Sequence, residues 1–60
     1  MKASERYTEL KIKLENDLIL LNEKLKKHQT DFNQEPENWG YVGELGFVSE
    51  KIEEILKFLN

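Results

Sequence analysis

Residues 7–32 read YTELKIKLENDLILLNEKLKKHQTDF, and this stretch decides the fold. Tyr7, Leu10, Leu14, Leu18, Leu21, Leu25, His28 and Phe32 follow one another at steps of 3, 4, 4, 3, 4, 3 and 4. Such steps return a side chain to the same side of an α-helix, so these positions form one stripe. No glycine or proline interrupts residues 2–32, where leucine, lysine and glutamate, all good helix formers, dominate. The doubled step of four around Leu14 departs from a strict coiled-coil heptad and relaxes any supercoil there. Ser4 suits the N-cap, and Glu5 suits the positive end of the helix dipole. The first helix is therefore expected at about 4–32, roughly 42 Å long at 1.5 Å per residue.

Outward from this stretch, Asn33-Gln34-Glu35-Pro36 breaks the pattern. Proline disfavours α geometry in the residue before it, so Glu35 is expected to be extended. Pro36 itself is welcome at a first helical position, which starts the second helix at about 37 and runs it to about 59. A connection as short as 33–36 makes the two helices antiparallel neighbours. Tyr41, Leu45, Val48, Ile52, Ile55 and Leu59 supply the second stripe, widened by Leu56. Gly40, Gly43 and Gly46 oppose this reading, because each interior helical glycine costs about 0.8–1 kcal/mol relative to alanine. Residues 38–46 are thus either helix or a longer loop.

The chain has 60 residues, no cysteine, one histidine and a net charge of −3. A single domain this small buries only about 60% of the surface that its unfolded chain exposes. Disulfides and thiolate metal sites are excluded, and His28 alone cannot build a metal site, so association is the remaining way to cover a core. Ile12 and Ile19 lie almost opposite the main stripe, and Phe47 and Phe58 lie off the second one. A lone hairpin leaves these residues wet, whereas two hairpins can cover them as a four-helix bundle. Ile12, Ile19 and Phe58 are accordingly candidate dimer contacts. Residues 1–32 carry about +1 and residues 33–60 carry −4, an asymmetry that favours pairing of the two halves within or between chains. No apolar run follows Met-Lys-Ala-Ser-Glu-Arg, as a signal peptide would need. Leu18–Leu21 is the longest apolar run, far short of the ~20 residues that span a bilayer. With no cysteine, these features lead to the expectation of a soluble, cytoplasmic protein.

The segment Asn38–Phe47 is the most unusual part of the chain, holding Trp39, Tyr41 and Phe47 among its glycines. If it is helical, Trp39, Gly40, Gly43, Gly46 and Phe47 share the side opposite Tyr41 and Leu45. Small residues let another backbone approach closely, and tryptophan is enriched at binding hot spots, so these five are candidate partner-binding residues. Two other readings stand beside that one: a loop with Trp39 folded over the bundle end, and a close helix contact inside the dimer. His28, on the core stripe near the end of the first helix, reads as a half-buried packing residue favouring the helix C-terminus. No serine, acid or second histidine is spaced to make it part of a triad. Glu53 and Glu54 point about 100° apart on a helix and do not converge on a metal. Glu53 instead faces Lys57 at i+4. The spacing G-x-x-G-x-x-G lacks the strand and Lys-Ser/Thr ending of a phosphate loop.

Lys2, Arg6, Lys13, Lys24 and Lys27 fall within about 60° of each other on the first helix. In length, pattern and acidic net charge the chain resembles the Rop-like plasmid RNA-binding regulators, although no sequence motif is shared. The resemblance implies a helical-hairpin dimer gripping paired RNA loops, with these five residues as candidate RNA contacts. Glu9 and Asp17 border the flank and repel phosphate, so a solvated charged face is the ordinary reading. The expected architecture is all-α: an antiparallel two-helix hairpin assembling into a homodimeric four-helix bundle. The expected role is a non-enzymatic adaptor or inhibitor acting through protein–protein interaction, with no cofactor, metal or small-molecule substrate. The RNA-binding regulator is the alternative.

Overall fold

The computed structural model describes residues 2–60, which form two α-helices and no strand. Helix α1 spans Ala3–Gln34 and helix α2 spans Trp39–Leu59, so the chain is a helical hairpin. Helix α1 begins one residue before the expected start and has Lys2, not Ser4, at its N-cap. The Lys2 carbonyl accepts from the Glu5 and Arg6 N–H groups at 3.1 and 3.2 Å. Ser4 lies inside the first turn, where its carbonyl accepts from Thr8 Oγ1 at 3.0 Å. No side chain caps this end, although Glu5 does lie in the first turn.

The connection lies two residues later than expected. Helix α1 continues through Asn33 and Gln34, and Glu35 leaves α geometry at φ −139° and ψ 62°. The proline behind Glu35 forces that exit. Pro36 does not open α2. It occupies the second position of a turn that the Asn38 N–H closes onto the Glu35 carbonyl at 3.0 Å, a position for which its fixed φ is suited. Asn38 then caps α2, its Oδ1 accepting from the Gly40 N–H at 2.9 Å. Residues 39–46 are helical, which removes the long-loop reading. The cap supplies part of what the glycines cost, since a side-chain cap contributes about 1 kcal/mol.

The two stripes meet only near the turn. Leu21, Leu25, His28 and Phe32 on α1, and Tyr41, Val48 and Ile52 on α2, are half-buried, and no described residue is fully buried. Away from the turn the seam opens: Leu18 remains 61% exposed, and Leu14, Ile55 and Leu59 are also more than half exposed. The Cα envelope measures 51 × 21 × 14 Å. Two helices packed side by side would be roughly 15 Å across, so the arms diverge.

Size makes the same point. The radius of gyration is 15.5 Å, against about 10 Å for a compact chain of this length. The accessible surface is 5703 Å², against about 4,100 Å² for a compact monomer of this mass. The hairpin thus leaves about 1,600 Å² exposed that a globular chain would hide. Helix α1 also outruns α2, at 32 residues against 21. The register that sets His28 beside Glu44 brings Leu14 level with Phe58. Tyr7 and Leu10 lie beyond the level that α2 reaches.

Surface charge adds little stability. Arg6–Glu9, Lys11–Glu15, Lys13–Asp17, Lys27–Asp31, Lys51–Glu54 and Lys57–Glu53 are all exposed pairs at i,i+3 or i,i+4. Each contributes about 0.2–0.5 kcal/mol of helix support. The large apolar side chains, by contrast, stay mostly exposed.

Candidate functional site at the turn end of the hairpin

The best-formed surface surrounds the turn. His28 Nε2 and Glu44 Oε1 pair across the seam at 2.9 Å. The Tyr41 ring meets His28 edge-on, with centroids 5.3 Å apart and planes at 87°. Phe32 meets the same ring edge-on at 6.3 Å and 84°. Tyr41 Oη donates to Glu35 Oε2 at 3.5 Å, and Asn38 Nδ2 donates to that same oxygen at 3.3 Å. One carboxylate thus ties the turn to the first turn of α2. Partial burial raises the Tyr41 phenol above its ordinary value, and Glu35 and Asp31 push in the same direction by disfavouring a second negative charge.

Two apolar grooves flank this seam. One, of about 530 Å³, has Phe32, Tyr41, Val42 and Leu45 as walls and Gly46 and Ser49 on its α2 side. The other, of about 520 Å³, lies between Leu25 and the Gly43, Phe47 and Val48 side of α2. Leu25, His28 and Leu45 border both. Gly43 and Gly46 each face open space, with nothing within 4 Å of where a Cβ would sit. No described residue has a positive φ, so neither glycine is required for backbone conformation. Gly40 differs, because a Cβ there would meet the capping Asn38 Oδ1 at 3.0 Å.

Of the five candidate partner-binding residues, Gly46 borders the first groove and Gly43 and Phe47 border the second, while Trp39 and Gly40 lie at the start of α2. Trp39 is 79% exposed and borders a shallow depression with Pro36 and Val42. Phe47 lies further along the helix, where Lys51 Nζ sits 5.5 Å from its ring centroid. Such an exposed cation–π pair is worth about 0.5–1 kcal/mol. The candidate dimer contacts Ile12, Ile19 and Phe58 are all more than half exposed, Phe58 reaching 85%.

His28 takes a different place from the one its position in the sequence suggests. Helix α1 ends at Gln34, so His28 is more than a turn from the helix end and pairs with Glu44 instead of the terminal carbonyls. Ser49 borders the same groove, but no hydrogen bond joins it to His28. Among the described residues no group of histidine, cysteine and acidic side chains could hold a metal ion. No described helix is long and apolar enough to cross a membrane.

Of the candidate RNA contacts, Arg6, Lys13 and Lys27 are tied to Glu9, Asp17 and Asp31 at 3.3, 2.6 and 3.1 Å. Lys24 takes part in no ion pair among the described residues, and Lys2 forms the N-cap. The basic flank is therefore laced with carboxylates along its length. Comparison of the chain with protein-family models, with curated proteins and with solved structures finds no match.

Proposed function

We propose that this chain is a non-enzymatic interaction protein that works as a homodimeric four-helix bundle. The observation that carries the reading is the uncovered surface of about 1,600 Å² per chain relative to a compact monomer. Two copies burying that much apiece would share about 3,200 Å², inside the range of obligate homodimers. Leu18, Leu14, Leu10 and Tyr7 carry part of that surface along the stripe of α1. Ile12, Ile19 and Phe58 add apolar area on the outer sides of the helices.

The adaptor or inhibitor role rests on Trp39. A largely exposed tryptophan beside Pro36 and Val42, on a capped helix end, supplies a rigid anchor for a larger protein. Chemical cross-linking of wild type and Leu18→Asp tests self-association. A cross-linked dimer is expected for wild type and none for the variant, because a carboxylate placed in the seam has no partner charge. Equal cross-linking of the two would refute the bundle. A protein retained by wild type and lost with Trp39→Ala, while the variant still dimerises, would support the docking role. Identical retention by both would refute it.

A further inference from the structure

Four features of the hairpin concern how two copies would lie together, and they agree. The first is length. Helix α1 is eleven residues longer than α2, an overhang of about 16 Å. Its stripe residues Tyr7 and Leu10 have no level on α2 to pack against, and Tyr7 is 69% exposed. The second is the groove at the opposite end of the molecule. Phe32, Tyr41, Val42 and Leu45 wall it, and Gly46 and Ser49 let a helix approach closely from the α2 side.

The third is charge. Residues 2–13 carry Lys2, Arg6, Lys11 and Lys13 against Glu5 and Glu9, a net of +2. Residues 31–44 carry Asp31, Glu35, Glu37 and Glu44 and no lysine or arginine, a net of −4. Like ends side by side would set −4 against −4. Opposite ends side by side would set +2 against −4 at both ends of the pair. Rim charges of this kind fix register and orientation more than affinity. The fourth is closure. A two-fold axis across the pair lets each overhang fill the other copy's groove, so both are satisfied and no open site is left to propagate.

We infer that the partner is a second copy of this chain in opposite orientation, the Tyr7–Leu10 overhang of each copy lying in the Phe32/Tyr41/Val42/Leu45 groove of the other. The inference rests on the self-association proposed above and adds its geometry. With Leu10 level with the partner's His28, position 9 of one α1 comes level with position 29 of the other. The two copies of position 9 then stand about 20 residues, or about 30 Å, apart along the bundle. A dimer of like ends would hold them about one helix spacing apart, roughly 10 Å.

The chain has no native cysteine, so a spin label on Glu9→Cys reports this distance directly. Glu9 lies on the side of α1 away from the stripe and is exposed. The expected separation is about 30 Å, lengthening by about 12 Å when the label is moved to Glu5→Cys, because each label shifts by four residues. A separation under about 20 Å that is unchanged at Glu5 would show like ends together and overturn the orientation while leaving self-association standing. Labelled and wild-type proteins that both sediment as monomers would overturn self-association itself. A dimer whose separation matches neither pattern would place the overhang outside the partner's groove and would also overturn the inference.

Discussion

Gly43 gives the sharpest stability prediction. It lies in the interior of α2, its φ is not positive, and nothing stands within 4 Å of a Cβ built there. Alanine at this position therefore meets no obstacle and gains about 0.8–1 kcal/mol per chain from helix propensity. For a cooperative unit of this size the unfolding entropy converts that gain to a rise of about 6–8 °C in Tm. The assay is thermal unfolding followed by circular dichroism, with wild type and Gly43→Ala at one matched protein concentration. Matching matters because association makes Tm depend on concentration. A fall in Tm would refute the reasoning. It would mean that a second backbone packs against Gly43 closely enough to exclude a methyl group, and that the open side of α2 is a contact and not solvent-facing helix.

Asn38→Ala removes the side chain that accepts from the Gly40 N–H at 2.9 Å. A loss of about 1 kcal/mol is expected in urea unfolding, with early fraying of residues 39–43 in amide exchange; unchanged stability and protection would contradict the cap. Tyr41 gives a pH prediction. Partial burial first, then Glu35 and Asp31, raises its phenol above 10.0. The folded chain holds this proton more tightly than the unfolded one, so the associated stability is intact below pH 10 and is lost as pH climbs from there through the folded value. Wild type should therefore lose more stability than Tyr41→Phe as pH rises above 10; parallel losses would contradict the assignment. The basic flank of α1 should give no gel shift with structured RNA at low salt, because Arg6, Lys13 and Lys27 are already paired with carboxylates; a salt-sensitive shift would overturn this.

Much of the fold was legible in the first helix. A stripe from Tyr7 to Phe32 with no glycine or proline leaves a helix as the only economical reading, and Pro36 marks the break in the chain. The start of α2 was harder to read, for a physical reason. Three glycines argue against helix by propensity alone, and the offsetting term is local: Asn38 bonds the Gly40 N–H, and Glu35 ties Asn38 and Tyr41 to the turn. An asparagine ahead of Trp39 was the available signal. Pro36 suited both a first helical position and the second place of a turn, and the Asn38–Glu35 bond selects the turn.

The candidate site was legible only in part. Periodicity shows which side of a helix is apolar, but not how closely two such sides approach. The divergence of the arms beyond Leu21 and Ile52 was therefore hidden, and so was the depth of the grooves. The His28–Glu44 pair joins residues 16 positions apart, and no local pattern could reveal it. Trp39 and Phe47 were recognisable as outward-facing aromatics once α2 was helical. The complementary charge of the two ends of the hairpin could be counted in the sequence, but it takes on meaning only when the turn and the overhang are placed at opposite ends of one molecule.

In the dimer proposed above, this hairpin is half of a folded unit. Sedimentation equilibrium of the wild-type chain across a wide concentration range tests it most directly. The expected result is a helical species of twice the 7.2 kDa chain mass that loses helix content as dilution drives it to monomer. A stable, fully helical 7.2 kDa monomer at micromolar concentration would contradict it.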